Sequence, residues 1–527
     1  MNRATSKPLI LVALLMASFV INLDTTLVNV ALPTLTRELG ATTSQLQWVV
    51  DAYNLTFAAL LLTSGSLSDR FGRKGMLMAG LAVFGLASFA GGYATSPAGL
   101  IAARAVMGLG AAMTFPATLS LLTGVFTGRK ERALSIGLWG ATAGMAIALG
   151  PIVGGLLLGH YSWASIFYTL GPVSLAVIAL TARFVPGSKD LVPHGLDFPG
   201  LILSSVFMGL LVYTVIEAPS RGWTSVASVL GFAGAAVALT AFIFGERRTS
   251  RPMLDVRLFA NMRFSAASAS VTVAFFTLSG FIFLMTQYFQ FIRGYSPLSA
   301  GVHLLPVAVS VAAGSIAGTR LAVRFGTKLI VTAGLALQAA FYFWVASDIT
   351  PTFSYPIIAV QMVVYGLGMG LTSAPATESI MGAVSARQAG VGSAVNDSTR
   401  LLGGTLGVAV IGSVYASLYA ARLTASLPAT VPHTLVNLAA QSVGAAFGVS
   451  GQIAAHGQGG AAAVHEAATS AFDHGLSVGC VVAAAVALAG ALLAAAYLPA
   501  QPPQASEPEQ HQADLPAIET QGEDLMR

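Results

Sequence analysis

The chain has 527 residues, of which 55% are hydrophobic and only 9% are charged, whereas a soluble domain usually contains about 25% charged residues. This composition, with a mean hydropathy of +0.76, excludes an ordinary soluble domain and indicates a membrane protein. Cys480 is the single cysteine, so no intrachain disulfide can form and no metal or redox cluster is indicated. The net charge of +5 is better explained by membrane topology than by nucleic-acid binding.

Fourteen apolar windows along the chain are each long enough, at about 20 residues, to cross a ~30 Å hydrocarbon core. The first contains Asp24, lacks a small-residue cleavage pattern and continues to Pro33, so we interpret it as a retained helix and not as a signal peptide. The windows lie at 9–32, 46–64, 75–94, 98–123, 134–158, 164–184, 197–216, 225–244, 265–289, 298–319, 329–347, 353–377, 401–420 and 475–498.

The basic residues predict the orientation of these helices. If the chain starts in the cytoplasm, only Arg37, Arg221, Arg293 and Arg422 of the 26 Lys and Arg residues fall in outer loops. Arg104 is predicted to be the one basic residue inside the membrane. By the positive-inside rule, we expect a multi-pass protein of the cytoplasmic membrane with both termini in the cytoplasm.

A charged stretch, Gly65–Lys74 (GSLSDRFGRK), separates the second window from the third. An ordinary basic loop would explain its charge, which belongs at the water interface. The spacing G-x-L-x-D-R-x-G-R-K, however, resembles the loop between helices 2 and 3 in the major facilitator superfamily. The resemblance implies a cytoplasmic gate whose contacts form and break during transport, made by Gly65, Asp69, Arg70, Gly72, Arg73 and Lys74.

A degraded copy of this stretch occurs in the second half of the chain. Arg324–Lys328 (RFGTK) echoes Arg70–Lys74 (RFGRK), with Val323 in place of the acidic residue. In the superfamily a second copy marks a C-terminal six-helix half, and paired repeats of this kind place the substrate at their interface near the midplane. We therefore expect an all-α membrane protein of the major facilitator fold with 14 transmembrane helices in a 6+2+6 arrangement. Its parts would be an N-terminal six-helix bundle (1–190), two extra linker helices (191–262), a C-terminal six-helix bundle (263–500) with a long outer loop (421–474), and a disordered cytoplasmic tail (501–527).

Three predicted helices carry more specific signatures. Leu23–Pro33 (LDTTLVNVALP) in helix 1 and Gln47–Leu55 (QWVVDAYNL) in helix 2 resemble the 14-helix drug:proton antiporters of the EmrB/QacA type. Ala103–Gly110 (ARAVMGLG) in helix 4 is similar to the R-x-x-x-G-x-G motif of that family, with Met107 in place of the usual Gln.

Charged residues inside these helices must face protein or water and not lipid. Asp24 is the first candidate for a protonation-linked site, although a fixed structural hydrogen-bonding group is the alternative. Arg104 needs a carboxylate or carbonyl partner, either in a charge network with Asp24 and Asp51 or in a structural brace. Asp51 is a candidate substrate or proton acid, or a carboxylate wetted by the outer vestibule. Glu217, near the outer end of helix 7, is a weaker proton-coupling candidate and could be a solvated loop carboxylate.

Helix 5 contains Ala148–Gly155 (ALGPIVGG), which matches the G-P-x-x-G-G motif associated with antiporters of the superfamily. Small residues allow neighbouring helices to approach closely, and proline bends a helix because it lacks a backbone N–H. The link between this motif and export comes from the resemblance to antiporters and not from the packing of the helix. Its four defining residues are Gly150, Pro151, Gly154 and Gly155.

The sequence has no G-x-x-x-x-G-K-[ST] phosphate-binding motif, so we expect an ion gradient and not ATP to supply the energy. The prediction is a secondary transporter, and not an enzyme, that exports lipophilic or cationic small molecules by alternating access. Protons would enter as substrate leaves, without a cofactor or a bound metal. A proton-coupled importer of a small solute and a non-transporting membrane receptor or scaffold are the alternatives.

Overall fold

The computed structural model describes residues 7–188, 197–249, 252, 254–348, 354–384, 389–427, 431–456 and 460–500, and every regular element in these ranges is helical. A short 3-10 turn, Val256–Ala260, precedes α9, and a π-helical turn, Tyr288–Ile292, extends it. The helices are α1 (Lys7–Leu39), α2 (Thr43–Phe71), α3 (Arg73–Gly92), α4 (Pro97–Val125), α5 (Arg129–His160), α6 (Ala164–Phe184), α7 (Phe198–Arg221), α8 (Val226–Arg248), α9 (Met262–Gln287), α10 (Pro297–His303), α11 (Leu305–Phe325), α12 (Thr327–Asp348), α13 (Tyr355–Met381), α14 (Ala389–Ser426), α15 (His433–Ala439), α16 (Val443–Ala455) and α17 (Ala461–Tyr497).

The long helices run alternately up and down between two sides of the molecule. We call the side where α1 begins the near side and the side where α1 ends the far side. In the first half of the chain, α1 packs against α4, α5 and α6, while α3 packs against α4 and α6. In the second half, α9 packs against α13, α14 and α17, while α12 packs against α13 and α17. The α7–α8 hairpin lies beside both halves, because α7 contacts α2 and α14.

Twelve of the described helical segments are long and apolar enough to cross a membrane. The prediction of an all-helical membrane protein is confirmed. A thirteenth segment is α5, which bends by 41° between Leu134–Ala146 and Ala148–His160. Pro151 explains the bend, because it cannot donate to the carbonyl four residues earlier. The 29-residue α2 is not among the twelve, since Gln47, Asp51 and Asn54 make its first half more polar.

Two helices are much longer than the apolar windows predict. The window 401–420 becomes the 38-residue α14, which starts at Ala389, and the window 475–498 becomes the 37-residue α17, which starts at Ala461. The first and last parts of the predicted outer loop 421–474 are therefore helical, since α14 continues to Ser426 and α17 starts at Ala461. The described remainder of the connection contains α15 and α16 on the far side, where the Thr43 amide donates to the Gln441 carbonyl at 3.1 Å.

Matching turns join α2 to α3 and α11 to α12. Gly72 has φ +109° and Gly326 has φ +88°, and each is the one residue between its two helices. Such backbone conformations are costly for residues that have a Cβ. The two RFG sequences therefore form equivalent near-side corners in the two halves of the chain.

The two halves of the chain contact each other on the far side. The Gln47 side chain in α2 donates to the Val408 and Ala409 carbonyls of α14 at 3.1 and 2.9 Å. The Gln290 amide group donates to the Val30 carbonyl of α1 at 2.9 Å. We call this set of contacts, together with the α5–α10 contact described below, the far-side seam.

Candidate functional site

A central cavity of about 200 Å³ lies between the two halves, on the near side of the far-side seam. One wall comes from α1, α2, α4 and α5, and the opposite wall comes from α9 and α14. Both walls combine aromatic and aliphatic surfaces with a smaller number of polar groups, as in many small-molecule sites. The lining residues that matter below are Asn22, Thr25, Asn29, Phe57, Phe115, Trp139, Phe275, Asp397 and Arg400.

The polar part of the first wall lies on one face of α1. Ser18, Asn22, Thr25 and Asn29 recur every three or four residues, which places them on the same side of a helix. Asn22 and Asn29 use their amide nitrogens within α1, donating to the Ser18 carbonyl at 2.8 Å and the Thr25 carbonyl at 2.7 Å. The side-chain oxygen of Asn29 is buried and has no hydrogen-bond partner among the described residues. The wall therefore offers hydrogen-bond acceptors to a bound molecule.

Asp24 is directed toward α4 and away from this cavity-lining face. Arg104 Nη1 donates to Asp24 Oδ2 at 2.5 Å, and the two side chains are 1% and 0% exposed. The structure thus brings together two of the three charges that the sequence predicts inside the membrane. Asp24 Oδ1 has no hydrogen-bond partner among the residues that are described, so one oxygen of the carboxylate is available to a proton.

Arg104 makes further contacts with α2. Its Nε donates to the Val49 carbonyl at 2.9 Å, and its guanidinium lies 4.3 Å from the centre of the Tyr53 ring. The Tyr53 hydroxyl in turn donates to the Ile21 carbonyl of α1 at 3.2 Å. Met107, which replaces the usual Gln, places its sulfur 4.0 Å from Arg104 Nη1. One guanidinium therefore connects α1, α2 and α4.

Asp51 forms no hydrogen bond with Asp24 or Arg104. Its side chain is fully buried, and neither carboxylate oxygen has a hydrogen-bond partner within the described part of the chain. It is one helical turn from Gln47, whose side chain bonds α14, and three residues from Asn54, which lines the cavity. Asp51 therefore lies on the surface of α2 that faces α14, beside the far-side seam.

Glu217 is located at the far end of α7 and does not line the central cavity. Its Oε1 accepts hydrogen bonds from Ser44 Oγ and Trp48 Nε1, both at 3.3 Å. Arg221 Nε lies 3.8 Å from Glu217 Oε2. These contacts attach α7 to the beginning of α2.

The glycine-proline motif of α5 lies at contacts with both halves. A Cβ at Gly150 would overlap the Thr26 side chain of α1, and a Cβ at Gly154 would lie 3.2 Å from Leu27. A Cβ at Gly155 would overlap the backbone of Leu298 in α10. Across the same contact, a Cβ at Gly301 would overlap the Pro151 carbonyl. These small residues let α5 pack closely on α1 and on α10, where they complete the far-side seam.

The predicted gate residues surround the near-side corner at Gly72. The Arg73 amide donates to the Ser188 carbonyl at 2.9 Å, and Lys74 Nζ donates to the Ala182 carbonyl at the end of α6 at 2.9 Å. Arg70 is exposed to solvent and stacks on Phe71. Gly65 faces Pro116 of α4. The Asp69 side chain lies outside the described residues.

The comparison with protein families identifies the architecture. The Major Facilitator Superfamily model matches residues 14–408, which include the cavity walls, the Asp24–Arg104 pair and the Gly72 corner. The chain belongs to the Major Facilitator Superfamily.

Relatives of this superfamily match most of the chain. Multidrug resistance protein Stp from Mycobacterium tuberculosis is 37% identical over 415 residues, covering 79% of this chain and 76% of Stp. The multidrug efflux pump LfrA from Mycolicibacterium smegmatis is 33% identical over 481 residues, covering 91% of this chain and 94% of LfrA. A solved bacterial homolog of the human lysosomal transporter Spinster shares the fold, with a TM-score of 0.66 at 18% identity and coverage of 93% of this chain and 98% of that one.

The superfamily assignment makes this chain a multi-pass membrane transporter and not an enzyme. Its central cavity occupies the place that the internal repeat predicts for substrate, at the interface of the two halves.

Sequence reasoning missed two cavity residues, Asp397 and Arg400. The apolar window began at 401, so Arg400 was assigned to an inner loop and Arg104 was predicted to be the one basic residue inside the membrane. In the structure, α14 begins at Ala389 and carries Arg400 into the cavity wall. The small and polar residues before 401 hid the first three turns of α14. The signal that could have revealed them was the charge of Arg400, directly before an apolar window of an antiporter-like sequence.

Proposed function

We propose that this protein exports drugs and other small amphiphilic compounds in exchange for protons, by alternating access across the cytoplasmic membrane. Its similarity to proteins named multidrug resistance protein Stp and multidrug efflux pump LfrA supports drug efflux as the activity. The aromatic and polar lining of the central cavity suits lipophilic or cationic molecules, which can be held by ring surfaces and by carbonyl oxygens.

The Asp24–Arg104 ion pair is the observation that carries the proton-coupling proposal. It is buried between α1 and α4, while the other face of α1 lines the cavity. Protonation of Asp24 removes the negative charge that holds Arg104, and it weakens the link between the two helices. Substrate on one face of α1 and a proton on the other thereby act on the same helix. Each then alters the binding of the other, which is the requirement for coupling.

Asp51 would provide a second proton-dependent step. In the closed far-side seam its carboxyl group has no partner among the described residues, and an isolated buried carboxylate is costly. We infer that Asp51 carries a proton when the seam is closed. Loss of that proton would favour opening of the seam toward the far side. Glu217 would act mainly by attaching α7 to α2, through Ser44 and Trp48.

The proposal includes a membrane topology of 14 helices. The twelve apolar segments, the bent α5 and the 29-residue α2 would all cross the membrane, with α10 and α11 counting as one broken crossing. Residues 1–190 and 263–500 would form the six-helix halves, and residues 191–262 would contribute the linker helices α7 and α8. The near side would face the cytoplasm together with both termini, in agreement with the distribution of Lys and Arg.

The near-side corner would act as the cytoplasmic gate. In the present arrangement the far-side seam is closed, which supports a state that receives substrate from the near side. Closing of the near side would bring α2 and its Gly65–Lys74 stretch toward the second half. Arg70 is exposed to solvent in the present arrangement, so its side chain can reach new partners when the near side closes.

A vesicle experiment tests the function. Everted membrane vesicles containing the protein would receive an acidic interior, and a panel of lipophilic cationic and neutral drugs would then be added in the absence of ATP. We expect drug-dependent collapse of the proton gradient, which vesicles without the protein should lack. Equal responses in the two kinds of vesicle would contradict proton-coupled export.

A further inference from the structure

The wall of the central cavity contributed by the second half carries a pair of opposite charges. Among the described residues that line the cavity, the ionisable ones are Asp397 and Arg400, and both belong to α14. Their three-residue spacing places them on one face of the helix, about one turn apart. The first wall, by contrast, has amide and hydroxyl groups but no ionisable side chain among its described residues.

Arg400 is held in place by residues of the neighbouring helices α9 and α13. Its Nη2 donates to Thr377 Oγ1 of α13 at 3.1 Å, and its guanidinium lies 5.3 Å from the centre of the Phe275 ring. Thr377 in turn donates to the Asn396 side chain at 3.0 Å. Arg400 Nε is buried and has no hydrogen-bond partner in the described ranges. The guanidinium is thus oriented by its neighbours while one donor remains unused.

Aromatic side chains form the surface opposite this charged pair. The Phe57 and Phe115 rings are 5.7 Å apart, and the Phe115 and Trp139 rings are 4.9 Å apart. The three rings form a continuous apolar surface across α2, α4 and α5. A molecule in the cavity can therefore place an aromatic body on the first half and a polar head against α14.

We propose that Asp397 and Arg400 form a subsite for zwitterionic amphiphiles, which carry an amine and a carboxylate or similar acceptor close together on an aromatic body. Asp397 binds the cationic amine, and Arg400 binds the acceptor through its planar donors. A ligand with a single charge meets one attractive and one repulsive group in this subsite. It favours a ligand that supplies both charges. This inference deepens the proposed function, because it names a substrate class for the same cavity.

Three fluorescent probes with one shared body test the subsite. Nε-dansyl-lysine has a free amine and a free carboxylate, its methyl ester keeps only the amine charge, and its Nα-acetyl derivative keeps only the carboxylate charge. Binding to the purified full-length protein would be followed by dansyl fluorescence without a proton gradient. We expect the zwitterion to bind about tenfold more tightly than either derivative, the size of one charge-assisted hydrogen bond.

Substitutions of Asp397 and Arg400 test which residue recognises each charge of the zwitterion. Asp397→Asn should lower the affinity for the zwitterion to that of the acetyl derivative, whereas Asp397→Glu should retain the wild-type ranking. Arg400→Gln should remove the advantage of the zwitterion over the methyl ester. Asp348→Asn is the matched control, since Asp348 lies at the far end of α12, where it accepts from Trp344 Nε1 at 2.6 Å. It should leave the ranking unchanged.

Three results would overturn the subsite. The first is equal binding of the three probes to the wild type, and the second is that none of the probes binds. The third is an unchanged ranking in Asp397→Asn, and this near-isosteric variant decides the matter even if Arg400→Gln does not fold. Because no gradient is used, failure here leaves proton-coupled export intact. A charge-dependent ranking in a protein that moves no protons would instead contradict the proposed function alone.

Discussion

At the scale of single residues, Arg104 of α4 joins three helices of the first half through its contacts with α1 and α2. It binds the Asp24 carboxylate of α1, the Val49 carbonyl of α2 and the ring face of Tyr53. A guanidinium offers several donors in one plane, so it can satisfy these different acceptors at once. A lysine at this position would supply a single charged point and could not make the same set of contacts.

Loss of Arg104 should destabilise the protein strongly. Arg104→Ala leaves the Asp24 carboxylate buried without its cation, and removal of one member of a buried pair typically costs about 3–5 kcal/mol. The free energy of unfolding in detergent would measure this effect. The matched control is Arg422→Ala, because Arg422 is exposed at the far end of α14, and a change there should stay within about 0.5 kcal/mol. Similar losses for both variants would contradict the role given to the ion pair.

Part of the site could be predicted from residue types alone. An embedded arginine requires a partner, and a charge network of Arg104 with Asp24 and Asp51 is one of the arrangements that the sequence predicts. The structure places Asp24 within hydrogen-bonding distance of Arg104. Asp51 faces α14 instead, because the presence of a carboxylate in a helix does not specify which neighbour it contacts. Arg400 and Asp397 were missed because the start of α14 is rich in small and polar residues, so hydropathy alone gave no sign of the helix there.

At the scale of helices, close packing at glycine determines how the two halves meet. Gly155 of α5 lies against the backbone of Leu298, and Gly301 lies against Pro151. Two helix backbones can approach this closely only where glycine has no Cβ at the contact. The far-side seam therefore depends on the α5 motif as well as on the polar contacts of Gln47 and Gln290.

Gly155→Ala should shift the protein toward a state with an open far-side seam. The added Cβ would overlap the Leu298 backbone, whereas Gly159→Ala on the same helix meets no atom within 4 Å and serves as the control. Thr286 is buried and lines a small pocket together with Pro151. The variant Thr286→Cys, in a Cys480→Ala background, would report access to this pocket. We expect faster labelling by an impermeant thiol reagent from the far side in Gly155→Ala. Equal labelling rates for Gly155→Ala and Gly159→Ala would refute this role of the seam.

The Gly72 corner gives a second test at this scale. Gly72→Ala forces a Cβ onto a backbone with φ +109°, a strain that costs about 1–3 kcal/mol. Gly75→Ala lies three residues further on in α3 with open space around it, and there alanine should stabilise the helix by about 0.5–1 kcal/mol. Thermal unfolding should therefore move in opposite directions for the two variants. Stabilisation by both would contradict the strained corner.

At the scale of the whole molecule, the two halves enclose the central cavity, and α1 connects it to the buried ion pair. One face of α1 lines the cavity through Asn22, Thr25 and Asn29, and the other holds Asp24 against Arg104. Transport in this account is movement of the halves about the cavity, with α1 sensing both substrate and proton. The α7–α8 hairpin, packed on α2 and α14, would accompany that movement without lining the cavity.

The most direct test of this account is the comparison of wild type and Asp24→Asn in everted vesicles with an acidic interior. The first assay would follow drug-dependent collapse of the proton gradient, and the second would follow exchange of labelled for unlabelled drug without a gradient. We expect Asp24→Asn to abolish the collapse while exchange persists, because the cavity remains and residue 24 can no longer gain or lose a proton. Collapse at the wild-type rate in Asp24→Asn would contradict Asp24 as the coupling site.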